Sequence, residues 1–536
     1  MVIIPDARRK KLTLAIGMVL ATGVANADFL SPFELSDLNG SNGFVLNGVS
    51  ATDYSGASVS IAGDINGDGI DDLVIGAPYA STGADYAGAS YVVFGSDQGF
   101  PSPLNLSSLD GNNGFVVNGA NASDYSGASV SAAGDINGDG LDDLVIGAPG
   151  SSPGEYYAGA SYVVFGSDLD WDSALELSSL DGNNGFVING VGANDNSGTS
   201  VSTAGDINGD GIDDLIIGAP YAGGYAGTGA AYVVFGRASD ENWGSALELS
   251  SLDGSNGFTI SGVNAGSTLG ISVSAAGDVN NDNIDDLIIG AIFASNDAGA
   301  TGAAYVVFGS DENWSSPFNL SGLDGNNGFV INGVSAGDNT GIAVGAAGDI
   351  NVDGEDDLII GAALADPNGE SSGASYVVFG GSEGWSSPLN LSGLNGNNGF
   401  VINGESAGDY SGISVSPAGD INADNMDDLV IGAALADPNG EDSGAGYVVF
   451  GSDQGWAGTL NLSSLNGANG FVFNGVNAGD SAGISVGKAG DINGDGFDDL
   501  VTGAMLADPN GLDSGTSYII FGSGEQGDLI FANGFE

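Results

Sequence analysis

Seven copies of one acidic stretch, each starting 71 or 72 residues after the last, constrain this chain more than any other feature. They open at Asp64, Asp135, Asp206, Asp278, Asp349, Asp420 and Asp491. A period of this length marks a repeat architecture, in which each unit buries its apolar surface against its neighbours. Every unit reads in the same order: a "GFVLNG" run, a Ser-Gly-rich "SGASVS" run, the acidic loop, "DDLVIGA", a variable Gly-rich loop and "YVVFG". That is four short β-runs per unit with no helical periodicity. "DLVIGA" and "YVVFG" are almost wholly apolar instead of alternating, so both faces of those strands must be covered. Four-stranded sheets packed face to face around an axis make a β-propeller. The repeats of a linear β-solenoid are normally much shorter.

The ends of the array predict a closed ring. An orphan "GFVLNG" stands at Gly43 before the first complete unit, and the last unit stops at "YIIFG" from Tyr518, one strand short. Pairing the two gives seven blades, with Phe44 to Asn47 as the outer strand of the blade whose other strands lie between Ser485 and Phe521. The expected fold is therefore an all-β, seven-bladed propeller over residues 28–522, closed by its N-terminal strand, which hides two sheet edges.

Residues 1–27 carry Arg8, Arg9, Lys10 and Lys11, an apolar run from Leu12 to Ala25, and Ala25-Asn26-Ala27, the layout of a secretory signal peptide cleaved before Asp28. Its removal leaves Arg237 and Lys488 as the only basic residues against 68 acids, a charge that repels nucleic acid and anionic membrane. No later segment has the apolar length of a membrane helix. The expectation is an exported protein, secreted or held at the cell surface. Residues 523–536 form a tail outside the ring, read as a sorting signal or an extra edge strand. The absence of cysteine excludes disulfides, thiol chemistry and thiolate metal sites.

The acidic loop follows D-h-N-x-D-[GN]-x-D-D-L, with h an aliphatic residue. Positions 1, 3, 5 and 9 offer side-chain oxygens and position 7 a backbone carbonyl, a donor set suited to Ca²⁺. The candidate ligands are Asp64, Asn66, Asp68, Ile70 and Asp72 in the first loop, and Asp135, Asn137, Asp139, Leu141 and Asp143 in the second. Asp206, Asn208, Asp210, Ile212 and Asp214 form the third set, and Asp278, Asn280, Asp282, Ile284 and Asp286 the fourth. The rest are Asp349, Asn351, Asp353, Glu355 and Asp357; Asp420, Asn422, Asp424, Met426 and Asp428; and Asp491, Asn493, Asp495, Phe497 and Asp499. Position 6 is always Gly or Asn, the residues that accept a left-handed backbone. An EF-hand would need Glu at position 12, where Ile75 stands, and flanking helices. Crowded carboxylates repel unless a cation lies among them. Position 9 should face the ion, leaving position 8 solvated or assisting a turn. About seven Ca²⁺ per chain follow.

The joint pattern of this loop, "GAP" at Gly76, Gly147 and Gly218, and a following "YVVFG" resembles the FG-GAP repeats of integrin alpha-subunit propellers over about residues 44–522. The resemblance implies a seven-bladed propeller with calcium between first and second strands, used for adhesion or ligand recognition. The fourth to seventh units have "GAI", "GAA", "GAA" and "GAM" in place of "GAP", yet keep every ligand position.

The chain contains no His, so His-based catalysis is excluded along with thiol chemistry, and the dense carboxylate pairs are those assigned to calcium. The expected role is a non-enzymatic binding module for an extracellular protein or glycan. The alternatives are a secreted carboxylate-type hydrolase acting on polysaccharide and a structural cell-surface protein without a specific ligand. Tyr79, Tyr86, Tyr156, Tyr157, Tyr221 and Tyr225, in the loops between second and third strands of the first three units, are the candidate ligand-binding residues. A second series, Phe100, Trp171, Trp243, Trp314, Trp385 and Trp456, reads as packing pegs at the rim.

Overall fold

The apolar runs become the two middle strands of each sheet. In the computed structural model, which describes residues 29–224, 227–238, 243–296, 299–382 and 384–523, Asp72–Ala77 and Ala89–Val93 are buried at every position. The first blade runs outward from the axis as Ser58–Gly63, Asp72–Ala77, Ala89–Val93 and Gly114–Asn118, all antiparallel. Six further blades repeat this order, with inner strands starting at Ser129, Ser200, Val273, Val344, Ser414 and Ser485. Each inner strand abuts the next, and the seventh returns to the first. The helical content among the described residues is confined to 3₁₀ turns such as Leu106–Ser108.

The ring closes as the termini of the array predict. Gly43–Asn47 pairs antiparallel with Thr516–Ile520, Gly43 opposite Ile520, and becomes the outer strand of blade 7. A second closure lies beside it: Phe33–Glu34 adds in parallel to Gly470–Asn474, the outer strand of blade 6. Similar two- or three-residue strands, such as Ala174–Glu176 on Gly114–Asn118, shorten the exposed edge of the other blades except blade 3, where a single bridge from Phe318 to Ile260 takes their place.

The aromatic pegs join the blades at the rim. Each stacks flat on the Phe of the neighbouring outer strand: Trp171 on Phe115 at 4.2 Å, Trp314 on Phe258 at 4.2 Å and Trp456 on Phe400 at 4.1 Å. Phe29 is the seventh member, stacked on Phe471 at 4.7 Å, and the spacing of the other six did not reveal it. Residues 1–27, expected from the sequence to be a signal peptide, all of the tail after Ser523, and Tyr225 lie outside the described residues.

Candidate cation loops and the tyrosine face

Every inner strand breaks register at its last residues, between Ile61 and Gly63 in blade 1, and this bulge swings the chain into the acidic loop. The position 1 carboxylate then organises the turn. Asp64 accepts from the amides of Asp68 at 2.9 Å and Gly69 at 2.8 Å, and Asp68 in turn accepts from Ile70 at 3.0 Å. The other six loops repeat all three bonds, as in Asp491 with Asp495 and Gly496, and Asp495 with Phe497. Position 6 is left-handed throughout, with φ of 86° at Gly69, 67° at Asn283 and 62° at Asn425. Position 4 is left-handed as well, even where it is Val352 at 60° or Ala423 at 60°. The mixed occupancy of that position concealed it in the sequence.

Position 9 turns inward as expected. Asp72 is fully buried, and one of its oxygens accepts from the Gly95 amide at 2.8 Å; both lie near the Asn66 amide nitrogen, at 3.2 and 3.1 Å. Burial, and then the charges of Asp68 and Asp64, push its carboxyl up to about 8. Asp214, Asp286 and Asp357 are likewise raised to about 8 and Asp499 to about 9, while Asp143 and Asp428 are driven well above the usual carboxylate range. A buried carboxylate normally has a cationic partner. The one ion pair among the described residues is Lys488 with Asp498, at 2.9 Å, and it serves none of these seven.

Positions 1 and 5 thus accept from their own loop's amides and the position 3 amide of the first loop lies beside position 9, while no three acidic side chains among the described residues converge at ligating distance. The donor set still fits a hard cation. It is all oxygen, its deepest carboxylate lacks a counter-charge, and Asn422 in blade 6 is buried with its Nδ2 unpartnered. A half-turn of that amide would present its oxygen to the loop interior instead.

Position 8 does something the sequence did not disclose. Of the two roles expected for it, standing in solvent or assisting a turn, it takes a form of the second across blades: its carboxylate reaches the preceding blade and accepts from the position 1 amide of that loop. Asp142 takes the amide of Asp64, Asp213 that of Asp135, Asp285 that of Asp206 and Asp356 that of Asp278. Asp427 with Asp349, Asp498 with Asp420, and Asp71 with Asp491 complete the circle, all at 2.8–3.0 Å. Room for each carboxylate comes from the glycine before the loop: a Cβ on Gly63 would lie 2.3 Å from Asp142 Oδ2. A second circle of bonds runs beside the first. The amide just after "FG" in each blade donates to the position 2 carbonyl of the preceding loop, as Ser167 does to Ile65 at 2.9 Å and Ser96 to Ile492 at 2.8 Å. Each loop is therefore gripped at two consecutive residues by the next blade.

Antiparallel strands alternate their ends, so the loops between second and third strands open on the opposite side of the ring. There Tyr79, Tyr86 and Tyr156 are 44%, 48% and 64% exposed, whereas Tyr157 and Tyr221 are half-buried. Tyr79 and Tyr86 lie 6.2 Å apart, and Tyr156 meets Tyr157 at 4.2 Å. The structure adds Tyr54 and Tyr125, whose rings lie 5.0 and 5.3 Å from Tyr79. Tyr79, Tyr125 and Tyr157 together border a depression of about 360 Å³. In blades 5 to 7 the same loops are tied down by polar groups, as where Asn368 donates to Gly404 at 2.7 Å, and they carry no such aromatic surface.

The FG-GAP repeat profile matches residues 55–93, 126–164, 197–234, 340–378 and 482–520. The two blades outside those matches, 4 and 6, are those with Asn at position 6, though their loops make the same bonds. Among known proteins, phosphatidylinositol-glycan-specific phospholipase D of Bos taurus is 37% identical over 163 residues, 30% of this chain and 18% of that protein. Integrin alpha-V of Gallus gallus is 32% identical over 243 residues, and integrin alpha-5 of Xenopus laevis 28% over 242, each alignment taking 44% of this chain and 20% of the integrin. The chain thus spans about a fifth of the length of the curated relatives it matches. With repeat motif, blade count and closure in agreement, the chain carries FG-GAP repeats, and its seven-bladed propeller resembles that of integrin alpha subunits.

Proposed function

We propose that this chain is an exported propeller, loaded with Ca²⁺ at its seven loops, that serves as an adhesion or ligand-recognition module through its tyrosine face. The observation that carries the calcium reading is the buried position 9 carboxylate, repeated in seven loops with no cationic side chain to balance it. When bound, calcium supplies the missing positive charge. The Asp and Asn oxygens and the position 7 carbonyls, Ile70 through Phe497, would hold it, while the carboxylates at position 8 keep adjacent loops in register. The metal's part is to hold the turns, and the ligand meets the opposite side of the ring. Integrin likeness supports recognition outside the cell, and among the described residues no helix is long and apolar enough to cross a membrane.

Phospholipase likeness covers less than a fifth of that enzyme, and the loop carboxylates are engaged in the turns they build, which favours binding over hydrolysis. Extracellular calcium modules bind with constants of roughly 10⁻⁴ to 10⁻³ M, so metal analysis after equilibration in millimolar calcium should return about seven ions per chain. A glycan and surface-protein array in the same buffer, repeated with Tyr86→Ala and Tyr156→Ala, tests the recognition face. Loss of a ligand in either variant supports it; ligands indifferent to both reject it.

A further inference from the structure

Where blades 7, 1 and 2 meet on the tyrosine face, four rings enclose one depression. Tyr54 and Tyr125 come from the turns leading into the inner strands of blades 1 and 2, Tyr79 and Tyr86 from the blade 1 loop, and Met505 closes the blade 7 side. Tyr79 is tilted 54° to Tyr54, 62° to Tyr125 and 84° to Tyr86, so the rings form a cup and not a flat stack. Its volume, about 460 Å³, lies in the range of small-molecule sites. Resting on the reading of this side of the ring as the recognition face, we propose that the cup binds a quaternary ammonium group.

Three observations support that chemistry. The first is backbone strain. Tyr54, Tyr86 and Tyr125 hold φ of 56°, 54° and 54°, a region costly for bulky residues. In blades 3, 4, 5 and 7 the residues equivalent to Tyr54 are Asn196, Thr268, Asn339 and Ser481, small polar groups in the same left-handed conformation, and in blade 6 the equivalent is Tyr410, at 56° and outside this depression. Rings have been placed here against local preference, and three of them serve one cavity.

The second is electrostatic. Aromatic faces carry negative potential and attract cations within about 6 Å of the ring centre. The Asp513 carboxylate stands 3.4 Å from the Tyr54 hydroxyl, and the chain bears a formal charge of −63. Among the described residues no side chain supplies the cation to the cup: the Arg237 guanidinium lies 4.5 Å over the Trp243 ring, and Lys488 is paired with Asp498. Arg237 on Trp243 also shows the chain settling a cation on an aromatic face.

The third is the lining. No carboxylate or amide side chain borders the depression, only rings, Met505 and small residues with Thr52. A primary ammonium brings three N–H donors that need acceptors, whereas a trimethylammonium brings none and presents methyl groups to the rings. The cup offers cation-attracting surface with few acceptors, which selects the methylated form.

The test is a titration of the full, calcium-equilibrated chain with tetramethylammonium and choline. The neutral isostere 3,3-dimethylbutanol is the control, and Tyr79→Ala, Tyr86→Ala and Phe293→Ala are the variants. We expect saturable binding of both cations, weakened about tenfold or more for the neutral analogue and in Tyr79→Ala or Tyr86→Ala, and unchanged in Phe293→Ala, an exposed ring in the blade 4 loop outside the cup. Unaltered melting midpoints show that the variants are folded; both rings are half exposed, so their removal leaves the core intact. Phosphocholine and peptides with trimethylated or unmodified lysine, run in parallel, distinguish a free cation, a lipid headgroup and a modified protein as its source. Equal affinity for the neutral analogue, binding indifferent to Tyr79→Ala and Tyr86→Ala, or no binding of either cation overturns the ammonium site. The face itself is judged separately: an array ligand lost in Tyr156→Ala or Tyr86→Ala keeps recognition standing even where choline fails.

Discussion

Removing calcium should destabilise this protein in a way that depends on pH, with a sign opposite to ordinary acid denaturation. Asp72 has its carboxyl raised from 3.8 to about 8 in the folded chain, with burial as the largest cause. Its folded value stands above the unfolded one, so between the two the folded chain binds more protons, and stability falls as pH rises from about 4 to about 8. At pH 7 the interval of roughly three units corresponds to about 4 kcal/mol per site, from 1.36 kcal/mol per unit. In five of the loops the position 9 carboxyl is raised to about 8 or 9. Even if relaxation and entering water halve the penalty, five sites together lose about 10 kcal/mol, comparable with the whole stability of a typical domain. At pH 5 the interval is about one unit, and the same sum shrinks to about 4 kcal/mol.

The assay is a set of melting scans with chelator and with millimolar calcium at pH 5, 6 and 7. An unfolding entropy of about 2 cal/mol/K per residue gives close to 1 °C per kcal/mol for a chain of this size. The chelated protein should therefore melt about 5–10 °C lower at pH 7 than at pH 5. With calcium the decline should vanish, because the bound cation keeps the carboxylates ionised. Asp72→Asn should raise the midpoint in chelator and lower it in calcium. A chelated midpoint that is flat with pH, or that equals the calcium-loaded one at pH 7, would refute the reasoning.

The clasp between blades predicts that Asp142→Ala, which leaves the Asp64 amide without its acceptor, costs about 1–3 kcal/mol in a denaturant titration, and that Asp142→Asn, which keeps an acceptor oxygen, costs less. Val352 sits at a left-handed position that glycine occupies in four other loops. Val352→Gly should stabilise the calcium-loaded protein by up to about 1 kcal/mol, and a loss of stability would show that the strain is relieved elsewhere. Deleting residues 29–47 removes strands from blades 6 and 7 together, so the truncated chain should elute as aggregate in size-exclusion chromatography where the intact chain does not.

Much of the architecture was readable because a repeat states its own period. The buried strands and the blade count follow from local runs and a fixed spacing, and the pairing of Gly43–Asn47 with the last unit follows from each end of the array lacking the piece the other carries. What escaped reading involves partners far apart or a conformation that several residue types share. Asp142 looks solvent-facing beside Asp143, because its acceptor role is filled by an amide 78 residues earlier in another blade. Position 4 of the loop looks unconstrained because Gly67, Asn281, Val352 and Ala423 all adopt one backbone geometry there. Tyr54 and Tyr125 are hidden for the same reason, since Asn, Thr and Ser take their place in four other blades and only Tyr410 of blade 6 matches them. Among the candidate ligands, alternation singles out position 9 over position 8 as the inward residue, whereas nothing in the pattern signals that Asp64 and Asp68 fold onto their own loop amides.

The two N-terminal strands have a consequence for how the ring is made. Residues 33–34 and 43–47 are synthesised first, yet their hydrogen-bonding partners, Gly470–Asn474 and Thr516–Ile520, are among the last to appear. Until then the leading segment waits unpaired, and blades 6 and 7 cannot be completed by any other part of the chain. Once joined, the first and last described strands of the hoop hold one another. Opening the hoop there must part strands far apart in the chain, and a slow first step of that kind favours kinetic persistence.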